Sequence, residues 1–120
     1  METPPDLLAG IQHFNRGEWY DAHEAWEEPW TRMGGSGRNF YKGLIQIAVG
    51  LYHWENHNPS GAYKLTQRGI ALLTAFSPDH LGVPVSVLIE ELVRFCDPLQ
   101  DWDGVSVIPF PETPPPKILT

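Results

Sequence analysis

The sequence predicts an all-α protein, a single bundle of about five helices with an extended, proline-rich C-terminal tail. Three observations predict it. Apolar residues recur at three- and four-residue spacing in successive segments up to Cys96, the signature of helices with one buried face. Short links rich in Gly, Pro and Asn separate those segments, which favours antiparallel neighbours. From Leu99 the helical pattern stops, and five of the twelve prolines fall in PFPETPPP, residues 109–116. The chain therefore divides into a bundle over 1–98 and a tail over 99–120, and its 120 residues suit one core.

The elements follow in order. Leu7, Ile11 and Phe14 give a first helix over 6–16, with Gly17 as its stop. A second helix begins near Glu18, where Glu18 and Asp21 suit the N-terminal turn. Pro29 is expected to kink or end it after Glu28, because proline lacks the N–H and crowds the preceding turn. RMGGSGR is a flexible link. The third helix, about 39–56, is apolar nearly all round and is expected at the centre. Its Gly43 and Gly50 would let a neighbour approach closely. Asn58 caps a fourth helix with Pro59 as its first residue, and Ala62, Leu65, Gly69, Leu72 and Phe76 are expected inward. A fifth helix over about 84–96 turns Val85, Leu88, Ile89, Leu92 and Cys96 inward, and Asp97-Pro98 ends it. Trp102, Ile108 and Phe110 could pack the polyproline-like tail along the bundle.

Composition narrows the function classes. The net charge is −7, and the eight basic residues are spread from Arg16 to Lys117 without a cluster, which argues against a nucleic-acid groove. The longest apolar run, GLIQIAVGLYHW, falls short of the roughly 20 residues that cross a bilayer, so no membrane partner is expected. One cysteine forms no intrachain disulfide, and METPPDLLAG lacks a secretion signal. A reducing, cytoplasmic location is the expectation.

The densest stretch is DAHEAWEEPW, residues 21–30. On a helical wheel with His23 at zero, Glu27 falls at about 40° and Trp30 at about −20°, while Asp21, Glu24, Glu28 and Arg32 fall on the far side. One carboxylate, Glu27, is thus singled out. On the third helix Lys42, Gln46, His53 and His57 form a polar stripe on an otherwise apolar surface. Buried polar groups need partners. The two stripes are therefore expected to face each other and gather His23, Glu27, Gln46 and His53.

FNRGEWYDAHEAWEEPW, with its His-x-x-x-Glu-x-x-Trp pattern at His23, Glu27 and Trp30, precedes FYKGLIQIAVGLYHWENHNPSGAYKLTQRG. Together these resemble the bacterial and archaeal family called domain of unknown function 309, over about residues 10–76. The resemblance implies a small multihelical bundle of unassigned activity and a metal role for the histidine and glutamate. It implies no substrate.

His23, Glu27 and His53 make two imidazoles and one carboxylate with open positions, a set that suits Zn²⁺ or non-haem Fe²⁺. Gln46 and Trp30 would then orient a ligand or water beside it. HEAWE is not the HExxH zincin motif, since glutamate stands where the second histidine belongs. Three other readings stay open: a buried polar network that only fixes helix register, a small-molecule pocket with His/Glu acid–base chemistry, and a protein-interaction module built on exposed tryptophans and the tail. Exposure of Trp19, Trp26 and Trp54 discriminates the last. Cys96 reads as a small core residue, His13 and His80 as surface residues, and Gly34, Gly35 and Gly37 as no phosphate loop.

Overall fold

The computed structural model describes residues 2–120. It contains five α-helices: α1 (Pro5–Asn15), α2 (Trp19–Arg32), α3 (Arg38–Glu55), α4 (Pro59–Thr74) and α5 (Val85–Phe95), followed by a 3₁₀ turn, Asp97–Leu99. Among the described residues there is no strand, and none of the helices is long and apolar enough to cross a membrane.

Local chemistry sets the helix ends. Gly17 takes φ +76° just past α1, a conformation glycine adopts without a Cβ clash. Asn58 caps α4, its side-chain oxygen accepting from the Gly61 amide at 3.1 Å. α3 is the hub. Phe40, Leu44, Ile47, Leu51 and Trp54 are buried along it, and it packs on both α2 and α4.

The α3–α4 seam is built on glycines. A Cβ on Gly50 would stand 2.8 Å from Thr66 Cγ2, and one on Gly69 would stand 2.7 Å from Gly43 O. The two backbones meet there at near contact, which turns α4 slightly from the expected face. Thr66 and Leu73 are fully buried, while Leu65, Leu72 and Phe76 are half-buried. The buried Thr66 hydroxyl donates to Ala62 O at 2.7 Å. A second close approach joins α1 to α2. Trp26 lies directly on Gly10 and donates its indole N–H to Leu7 O at 3.0 Å.

The expectation that α2 kinks or stops at Pro29 is corrected. The helix runs on to Arg32, and Pro29 is buried in the bundle. Tertiary contacts hold the last turn despite the missing N–H. The Arg38 guanidinium lies 3.8 Å from the centre of the Trp30 ring and donates to Trp30 O at 3.2 Å, and Thr31 Oγ1 donates to Glu28 O at 2.7 Å.

After the 3₁₀ turn the chain returns across the bundle as an extended arm. Ile118 is buried, and Ile108 and Phe110 pack against the core.

Candidate functional site

α2 places His23 and Glu27 one turn apart on the edge that faces α3. His23 Nδ1 lies 2.7 Å from Tyr20 O. A carbonyl only accepts, so Nδ1 carries the hydrogen and donates it. In the neutral ring Nε2 then holds a lone pair. That lone pair faces Glu27, with Nε2 3.3 Å from Oε2. The His23 side chain is only 16% exposed and that of Glu27 51%. The ring is fixed by the helix, while the carboxylate reaches in from the surface.

A shallow pocket of about 440 Å³ opens beside the pair, lined by Tyr20, His23, Glu24, Glu27, Glu28 and Thr31. Three carboxylates border it, and the nearby Arg32 is engaged with Glu28 at 3.0 Å. The Tyr20 ring packs on His23 at 4.8 Å and on Tyr52 of α3 at 5.5 Å. The surroundings suit a cation.

The expected meeting of two polar stripes is corrected. α3 turns Tyr52 toward α2 and His53 toward α4, where a Cβ on Gly61 would stand 3.1 Å from the His53 ring. Gln46, seven residues earlier, shares the His53 flank. The reason is the glycine seam, which draws α4 onto this side of α3. His53 Nδ1 also lies 3.4 Å from Asn58 Nδ2, which only donates, so that nitrogen is an acceptor already engaged. Among the described residues, one trio alone brings its ligand atoms within 4.8 Å of one another, and it is not His23, Glu27 and His53. The structure thus joins His23 to Glu27 and leaves His53 apart.

Gln46 and Trp30 do not line the pocket beside His23. Gln46 Oε1 and Trp30 Nε1 are both buried without a partner. Arg38 covers the Trp30 ring and explains what the tryptophan of the motif does: it anchors the end of α2. Neither the Tyr20 carbonyl nor Arg38 stood out in the sequence. A helical carbonyl three residues before a histidine is always available, so position alone gave no signal.

The trio within 4.8 Å is His13, Glu18 and Asp21, at the α1–α2 junction. Arg16 occupies it. Its Nε lies 3.1 Å from Glu18 Oε1, which also meets His13 Nδ1 at 2.7 Å. The His13 and Arg16 contacts hold the Glu18 carboxyl below its usual range. This is an exposed ion-pair network with its cation built in.

Fold and site define a small all-helical protein with a histidine–glutamate pair on one edge of its α2–α3 hairpin. The model of the family described as "Domain of unknown function (DUF309)" matches residues 7–65, the stretch that carries His23, Glu27, Trp30, Gln46 and His53. "Uncharacterized protein YpuF" of Bacillus subtilis (strain 168) is 36% identical over 76 residues, which is 61% of this chain and 44% of that protein. The chain therefore matches less than half the length of that relative. The resemblance read from the sequence is borne out, and function stays unassigned.

Proposed function

We propose that the protein binds one divalent transition-metal ion, Zn²⁺ or Fe²⁺, through His23 Nε2 and a Glu27 carboxylate oxygen. One observation carries this reading. The Tyr20 carbonyl takes the Nδ1 hydrogen of His23, so that in the neutral ring two lone pairs, Nε2 and Glu27 Oε2, face each other at 3.3 Å. Such a pair needs a proton or a cation between its members. Two ligands about 2.1 Å from one tetrahedral ion stand roughly 3.4 Å apart, which this spacing matches. A backbone carbonyl on the far ring nitrogen is the usual orienting partner of a metal-bound histidine.

Two protein ligands leave positions for water or for a small ligand entering from the Tyr20 side, and Glu24 and Glu28 add negative potential there. His53 is not needed as a third ligand in this arrangement. A reducing cytoplasm, expected from the lone cysteine, is compatible with either ion. The rival interaction surface of tryptophans loses its support, because Trp19, Trp26 and Trp54 are all buried.

Elemental analysis of tag-free protein, followed by calorimetric titration at two pH values, tests the reading. The expected result is about one ion per chain, with affinity falling as pH drops through the imidazole range, since proton and metal compete for one nitrogen. His23→Ala and Glu27→Ala lose the ion, while His53→Ala and His80→Ala keep it. Folded protein with no metal and no heat on titration overturns it and leaves a structural ion pair.

A further inference from the structure

α5 and the extended arm enclose a cleft of about 580 Å³, a volume within the roughly 300–1,000 Å³ of small-molecule sites. Glu91, Arg94 and Phe95 of α5 line one side, and Pro111, Pro115 and Lys117 of the arm line the other. Phe95 is the most exposed of the buried core residues, at 8%, and its ring is held 5.6 Å from Trp54 and 5.4 Å from Phe110. Five of the eleven lining residues are prolines. Proline has no N–H, so those positions offer carbon and carbonyl oxygen but no backbone donor. An anion in the cleft therefore depends on side-chain cations. Arg94 and Lys117 supply two, and among the described residues neither is in an ion pair. One carboxylate, Glu91, stands against them. Two cations against one acid leave the lining with a positive balance, in a chain whose net charge is −7.

We propose that this cleft binds a small organic monocarboxylate with an aromatic or branched apolar body. The apolar body seats against Phe95 and the proline rings, and the carboxylate takes Arg94 and Lys117. The planar arginine fork matches a carboxylate with two parallel hydrogen bonds, and the lysine adds a point charge. An amine of the same shape would meet two cations, and a dianion would exceed the positive balance of the lining. A polyproline-like wall is stiff, so it loses little freedom when a ligand settles on it. The arm stays in place, because Ile118 is buried and the Asn15 side chain holds its backbone by two hydrogen bonds, at 3.0 and 2.7 Å. The ligand displaces only solvent. The inference does not rest on the metal site, since no residue of α2 lines this cleft.

The probe is phenylpropionate, titrated into the full, metal-stripped chain and followed by the amide resonances of Phe95 and Lys117 and by the Trp54 indole N–H. These resonances should shift together and saturate in the millimolar range or below, as suits a ligand of about ten heavy atoms. Phenylpropylamine, the same body with the opposite charge, should bind at least about tenfold more weakly. Acetate, the charge without the body, should not saturate the shifts. The double variant Arg94→Gln/Lys117→Gln changes two exposed side chains and should bind phenylpropionate at least about tenfold more weakly. Glu91→Gln, which removes the opposing charge, should bind it as tightly as wild type or more tightly. No saturable shift at Phe95 and Lys117, equal binding of acid and amine, saturation by acetate, or undiminished binding to the double variant would each overturn the proposal.

Discussion

Glu27 and Glu24 stand three residues apart on α2 and differ in what they face. The helical wheel singled out Glu27, and the structure sets it opposite His23 Nε2. The wheel also implied a buried role, yet the side chain is half exposed, because a flexible carboxylate can follow a surface path that periodicity does not record. An exposed pair contributes about 0–1 kcal/mol. Without metal, Glu27→Ala and Glu24→Ala should therefore shift the urea midpoint by similarly small amounts. With Zn²⁺ at about one hundred times its Kd, wild type and Glu24→Ala should gain about 2.7 kcal/mol, and Glu27→Ala should gain none. Equal gains in all three would place the ion elsewhere. His53 shows where reading residue by residue stops. Its polarity on an apolar helix was visible, but its direction depended on which neighbour the glycines of α3 admit.

α2 depends on what lies beyond its own sequence. Read locally, Pro29 ends the helix. In the folded chain Arg38, across the glycine-rich link, supplies the last turn with a cation over Trp30 and a donor to Trp30 O. A contact across a flexible link has no periodicity, so it was not legible, whereas the Gly17 stop and the Asn58 cap were. Arg38→Ala should cost about 1–2 kcal/mol, combining a cation–π contact with a hydrogen bond. Arg32→Ala, which removes only the exposed pair with Glu28, should cost less than about 0.5 kcal/mol. Denaturation midpoints compare the two. Equal losses would mean that the end of α2 does not rely on Arg38.

At the scale of the molecule, the expected surface histidine His80 lies with its ring 4.7 Å from both Phe40 and Phe76, and burial pushes its pKa down. A histidine with a lowered folded pKa costs nothing above its unfolded value of about 6.5; below it the unfolded chain takes up the proton first. Stability is lost as pH falls from that value through the folded pKa. The urea midpoint of the wild type should therefore drop more between about pH 7.5 and pH 5.5 than that of His80→Gln, and parallel drops would show that His80 does not couple to folding. Cys96 reports on the whole bundle. It was legible as a small core residue, and the structure buries it, which raises its thiol pKa to about 11. A thiol reagent needs the exposed thiolate, so at neutral pH it must wait for the chain to open. When opening and closing are fast, the labelling rate follows the open population. Each 1.4 kcal/mol of lost stability should then raise the Cys96 labelling rate about tenfold. Arg38→Ala, at its expected cost, should label about five- to thirtyfold faster than wild type. A rate unchanged by Arg38→Ala, in a protein that denaturation shows to be destabilised, would mean that Cys96 is reached by a local opening that leaves α2 folded.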